Sequence, residues 1–177
     1  MIVAMAGLPG TGKSTLARAW ARQVNGVVLD KDTIRQAVFG GSVTYTRDQD
    51  DLCFELMYHS GAWLLDRTPG LTLLLDGRTF LRAYQVRAAR VFATRVNRPL
   101  HFVECVCPAE VALERITATH LDHPAANRDA DLYHRLRTHA EPITETTIRI
   151  DTSRPLRECL RQLARHLPAR AESNIPP

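Results

Sequence analysis

Apolar residues follow two alternating rhythms along the chain. The segment 2–6 (IVAMA) reads as a short buried strand, 71–76 (LTLLLD) as a continuous apolar run of a strand buried on both faces, and 100–107 (LHFVECVC) as a further strand. After Lys13 the apolar residues Leu16, Ala17, Trp20, Ala21 and Val24 recur at helical spacing. Asn25 and Gly26 break that pattern, and 27–29 makes a second short strand ending on Asp30. A helix is predicted over 30–40, capped near Asp30 or Asp32 and stopped by Gly40 and Gly41. Another runs over 47–67, with Leu52, Leu56, Ala62, Trp63 and Leu65 as apolar positions, and ends at Thr68, Pro69 and Gly70. Segments 81–96 and 109–120 are also helical, the latter opened by Pro108. A polar loop is expected at 120–131, a helix at 132–143, a fifth strand at 146–150 and an amphipathic helix at 154–167. The last residues, 168–177, are expected to be disordered.

Strands that alternate with helices predict an α/β fold: a three-layer sandwich around a five-stranded parallel sheet with right-handed crossovers. One domain is expected over 1–167, with a small helical lid at about 116–131 and no internal repeat. Ligands of such sheets bind beyond the carboxyl ends of the strands. The residues to weigh are therefore those following the first three strands.

Composition narrows the class. Of 177 residues, 45% are hydrophobic and 24% charged, which argues against general disorder. The start is too short and uncharged for a signal peptide, and no apolar run has the length of a membrane span, so a cytoplasmic enzyme is expected. A net charge of +4 suits an anionic ligand, whereas aromatics at 6% offer no stacking platform for nucleic acid. Cys53, Cys105, Cys107 and Cys159 lack zinc-like spacing and are expected in the core. His120, His123, His134 and His139 lack the partners of a metal motif and read as solvated or substrate-facing.

Chemistry is concentrated in GLPGTGKST. Gly7, Gly12, Lys13 and Ser14 satisfy G-x-x-x-x-G-K-[ST], between a predicted strand and a predicted helix, as a phosphate cradle requires. Residues Gly7, Leu8, Pro9, Gly10, Thr11, Gly12, Lys13, Ser14 and Thr15 form that cradle, for ATP. Lys13 would reach the β- and γ-phosphates, and the Ser14 hydroxyl would ligate Mg²⁺. Asp76 ends a buried strand, where a carboxylate can also hold Mg²⁺.

Asp32 and Arg35 are one helical turn apart. Either Asp32 accepts a proton from an acceptor hydroxyl while Arg35 holds the acceptor, or the two are a cap and an ion pair on a solvated helix. Arg78 faces the γ-phosphate or the acceptor, or is a surface arginine. Arg115 and Arg128 flank or lie in the polar loop, as arginines of a lid that excludes water or as solvated helix residues.

In order along the chain, GLPGTGKSTLAR, DKDTIRQ, LLLDGRTF, ERITATH and IDTS resemble the small P-loop kinases of the polynucleotide 5′-hydroxyl kinase and zeta-toxin-like group, an AAA-type ATP-binding group. That resemblance implies a P-loop NTPase-type fold and transfer of the γ-phosphoryl group from ATP to an alcohol. It implies Asp32 as general base, Arg35 as a substrate contact, Asp76 as the third-strand aspartate and Arg115 as the first lid arginine. A second lid arginine is usual where this chain has Thr119, and Arg128 is its candidate substitute. The segment IDTSRP resembles the loop bordering adenine, which places Arg154 beside the base. A hydroxyl-bearing small molecule is the favoured acceptor; a nucleic-acid 5′ end and a regulatory, non-kinase ATPase are the alternatives. Asn97 in NRPL lacks the companions of a guanine-reading motif. Residues 40–67 either contribute to the acceptor pocket, with Tyr45 and Arg47 as candidates, or are an ordinary helical cover.

Overall fold

A computed structural model describes residues 1–118 and 129–167. Its strands are β1 (Ile2–Ala6), β2 (Gly26–Asp30), β3 (Thr72–Asp76), β4 (Leu100–Val106) and β5 (Thr147–Asp151). They form one five-stranded sheet, ordered β2-β3-β1-β4-β5, and every pairing is parallel. Around it lie α1 (Lys13–Ala21), α2 (Lys31–Phe39), α3 (Arg47–Arg67), α4 (Ala83–Arg95), α5 (Ala109–Ala118), α6 (Ala130–Thr138) and α7 (Leu156–His166). The fold is the expected α/β sandwich.

Alternation along the central strand explains why β1 contains no polar residue. Ile2, Ala4 and Ala6 join Phe54 and Met57 of α3 and Phe92 of α4 on one face. Val3 and Met5 join Leu16 and Trp20 of α1 and Leu163 of α7 on the other. A third, smaller cluster packs Ala112 and Ile116 of α5 with Tyr133 of α6 against Leu8. The phosphate-loop segment is thereby wedged between the sheet and the α5–α6 pair.

Helix α3 forms where its period predicts, and of its predicted apolar positions Leu65 is buried and Ala62 packs against the core, but the other three point out. Cys53, Phe54, Met57, Gly61 and Leu65 turn inward, while Leu52, Leu56 and Trp63 point out, Trp63 being 58% exposed. Volume decides between the two apolar faces. At Gly61 an added Cβ would lie 2.6 Å from Leu73 Cδ2, so only the glycine side lets the helix approach the sheet this closely. Other boundaries differ by a few residues: α1 stops before Val24, and α6 stops at Thr138, ahead of Pro142. Cys53, Cys105 and Cys159 are buried as expected, whereas Cys107 lies just past β4 and is half-buried.

Direction of chain travel reverses between β1 and β3. The helix after β1 covers one face, the helix after β3 the other, and the two strands are neighbours. A crevice opens at their carboxyl ends, as it does at such switch points generally.

Candidate functional site

The loop leaving β1 is shaped by contacts rather than by sequence pattern alone. Gly10 and Gly12 both have left-handed backbones, φ 78 and 77. At Gly10 a Cβ would lie 2.3 Å from the Ala112 carbonyl oxygen, so α5 forbids any larger residue there. Gly12 is the residue before α1, and neither a side-chain cap nor an acidic residue occupies that helix's first turn. Its positive end is therefore uncompensated where it lines the cleft. Lys13 Nζ donates to the carbonyl oxygens of Gly7, at 2.9 Å, and Leu8, at 2.8 Å. Thr152, after β5, donates its hydroxyl to the Thr11 carbonyl oxygen at 2.8 Å. Such a ring of amides beside an ammonium can receive a polyphosphate.

Asp76 ends β3 in register with Asp30 at the end of β2. Its carboxylate is wholly buried, and neither oxygen makes a hydrogen bond of ordinary geometry among the described residues. Burial holds its carboxyl above the usual carboxylate range; the Ser14 hydroxyl and the Gly77 amide lie near enough to oppose that shift, and Asp30 reinforces it. A buried, under-bonded carboxylate beside a hydroxyl fits a hard divalent cation. Among the described residues no three His, Cys, Asp or Glu side chains converge on a metal, so Ser14 and Asp76 would share Mg²⁺ with the nucleotide.

Asp30, not Asp32, caps α2: its carboxylate accepts from the amides of Asp32, at 2.9 Å, and Thr33, at 3.4 Å. Arg18 pairs with Asp30 at 3.0 Å. Asp32 is thereby left to line the cleft. Its Oδ1 is held by Arg35 Nη1 at 2.5 Å and Lys31 Nζ at 3.4 Å. Arg35 is only 1% exposed and also pairs with Asp50 of α3, which accepts from Lys31 at 3.0 Å. Burial lowers the pKa of Lys31, with Asp32 opposing the shift. Arg78, 5% exposed, pairs with Asp51 and lies over the Phe54 ring, 4.2 Å from its centroid. It is not a surface arginine. Its loop is anchored by Phe80, fully buried with φ 53 and set edge-on to Phe54 and Phe102.

Arg115, near the end of α5, donates Nη2 to the Thr152 carbonyl oxygen at 2.8 Å and Nη1 to its hydroxyl at 3.4 Å. Arg154 is exposed and pairs with Asp151, at 3.6 Å, and Glu158, at 3.9 Å. Both line the same cleft as the glycine loop, Asp32, Asp76 and Arg78, a cavity of about 870 Å³. Tyr45 and Arg47 line it too. His134 and His139 are exposed. Arg128, Thr119, His120, His123, most of the expected lid and the 168–177 tail lie outside the described residues.

Sequence reasoning missed Lys31, Asp50, Asp51 and Thr152. Acids in the first turns of α3 look like ordinary complements to a helix dipole, and only the fold brings them to α2. For Lys31 the available signal was a lysine between two aspartates just after a strand.

Fold and site together define a P-loop nucleotide-binding α/β protein. The AAA domain family model matches residues 2–142, and the chain belongs to that family. No curated protein sequence matches it. Among solved structures it is similar to the Mycobacterium tuberculosis APS kinase CysC in complex with AMPPNP and APS, with 18% identity, 94% of this chain and 96% of that one covered, and a TM-score of 0.68. It is likewise similar to a gluconokinase from Sinorhizobium meliloti 1021, at 18% identity, 93% and 94% coverage and a TM-score of 0.63. A third is Chaetomium thermophilum Kti12 in complex with ADP-AlF3, at 14% identity, 92% and 97% coverage and a TM-score of 0.67. At these identities the likeness is one of fold. No helix among the described residues is long and apolar enough to cross a membrane.

Proposed function

We propose that the chain is an ATP- and Mg²⁺-dependent kinase that transfers the γ-phosphoryl group to a hydroxyl of a small-molecule acceptor. The observation that carries this reading is a single cleft containing a phosphate loop, a buried Asp76 and Asp32, whose Oδ1 is held by Arg35 and Lys31. Kinases among the structural neighbours, one holding AMPPNP and APS, support the same reading.

The glycine loop and Lys13 bind and orient the triphosphate, with the ammonium exchanging its two carbonyl partners for phosphate oxygens. Ser14 and Asp76 would hold Mg²⁺, which would supply neutralisation of phosphate charge. Asp32 accepts the acceptor's proton at Oδ2, because Lys31 and Arg35 fix Oδ1. Arg78 borders the acceptor; Arg115, tied to Thr152, and Arg154 flank the nucleotide. Arg128 is the proposed second lid arginine.

ADP release, screened against hydroxylated metabolites and short 5′-hydroxyl oligonucleotides, tests the reading. Asp32→Asn is expected to lower acceptor-dependent turnover at least about 100-fold while calorimetric MgATP affinity stays near native. Native turnover in the variant removes Asp32 as the base.

A further inference from the structure

The kind of alcohol this cleft admits is constrained by how its own charges are paired. In the half bordered by α2 and α3, the cations Lys31, Arg35 and Arg78 are all buried. A buried cation needs a matching charge, and each has one. Asp50 bridges Lys31 and Arg35 from α3, Asp32 bridges the same two from α2, and Asp51 meets Arg78. Three cations thus face three carboxylates. At the rim, Arg47 pairs with Asp51 at 3.5 Å and lies over the Tyr84 ring, while Arg82 pairs with Glu141 at 3.5 Å. Each cation of this half thus has a carboxylate beside it within the described residues, with Asp51 shared between Arg78 and Arg47.

An anionic acceptor would have to displace Asp50 or Asp51 from a buried guanidinium, or lie beside those carboxylates. Both options are unfavourable, the second because like charges at contact repel strongly in a partly desolvated cleft. What the cleft offers besides these pairs is apolar and weakly polar: the rings of Tyr45 and Tyr84, and Leu132 and Leu136 of α6. Those are the surfaces that bind an uncharged ring and a few hydroxyls.

We propose that the acceptor is an uncharged alcohol on an aromatic or otherwise apolar framework, excluding acceptors that carry a phosphate or carboxylate near the reacting hydroxyl; this rests on the kinase reading above. Under that proposal Arg35 and Arg78 are structural neutralisers of the α2–α3 junction and shape the subsite, and neither clamps an acceptor anion.

Matched pairs test it with the full chain and MgATP: phenyl glucoside against phenyl glucuronide, and a nucleoside against its 3′-monophosphate, by ADP release. The uncharged member of at least one pair is expected to exceed its anionic partner at least tenfold in kcat/KM. Equal or higher values for the anionic members overturn the proposal, as does no transfer to any of the four when calorimetry shows MgATP bound. Absence of MgATP binding overturns the kinase reading itself, and the inference with it. In a second arm, Asp51→Asn releases Arg78 and is expected to move the ratio at least fivefold toward the anionic member. Asp50→Asn does the same through Arg35 if Asp51→Asn fails to fold by circular dichroism. An unchanged ratio in a folded variant counts against the pairing argument.

Discussion

Thr152 and Thr11 are 141 positions apart in sequence and joined by a buried hydrogen bond from the Thr152 hydroxyl to the Thr11 carbonyl oxygen. The same hydroxyl lies 3.1 Å from the Val106 carbonyl oxygen and accepts from Arg115. One side chain therefore ties the ends of β1, β4 and β5 to α5. Thr152→Val keeps the shape and removes the bond, leaving the Thr11 carbonyl buried without its partner. The expected loss is about 1–3 kcal/mol, read as a lower urea midpoint at unchanged m. MgATP affinity should fall less than about tenfold, because Arg115 keeps its bond to the Thr152 carbonyl oxygen. An unchanged midpoint would mean that the loop's shape does not depend on Thr152.

How much of this was legible beforehand depended on contact range. Strand β1 is apolar on both faces, so a run of five residues announced its own burial. The glycine loop was legible because its function needs residues at fixed, adjacent positions. Lys31 with Asp50, 19 residues apart, and Arg78 with Asp51, 27 apart, had no local signature. Helix α3 shows the limit most clearly: both of its sides carry apolar residues, and Gly61, which selects the buried one, matters only once Leu73 stands opposite it. Burial of Arg35 was illegible for the same reason, since D-x-x-R looks identical on a solvated helix and under α3.

Gly10 lies at a position the phosphate-loop pattern leaves open, yet the fold fixes it. Its φ of 78 is left-handed, and a Cβ there meets the backbone of Ala112 rather than a side chain able to move aside. Gly10→Ala is expected to cost about 2–4 kcal/mol, the sum of a left-handed alanine and overpacking against α5. Thermal unfolding should show the loss, together with weaker MgATP binding as the loop shifts. If Gly10→Ala matches the native melting temperature, α5 yields readily and cannot hold the loop in shape.

Alkaline stability offers a check on the core beneath the acceptor half. The Tyr58 hydroxyl is buried without a hydrogen-bond partner among the described residues, its ring stacked on Phe92 at 4.7 Å and edge-on to Phe54 at 5.7 Å. Burial pushes its phenol from 10.0 up to about 12, opposed by Arg78. Burial likewise pushes the Cys105 thiol from 9.0 up to about 12, opposed by Lys13. The unfolded chain releases these protons near the ordinary values, while the folded chain retains them to the raised ones. Unfolding therefore releases protons in that interval, and stability falls as pH rises from about 9 towards 12, by up to about 1.4 kcal/mol per pH unit for each group titrating only in the unfolded state. Below about 9 neither group contributes a slope. Tyr58→Phe keeps the ring contacts and removes both the unpaired hydroxyl and its share of the decline. Urea midpoints should be equal or higher than native at neutral pH, with a shallower fall between about 10 and 12. A variant less stable at neutral pH would show that the hydroxyl has a bonding partner, and a slope identical to native would place the alkaline loss elsewhere.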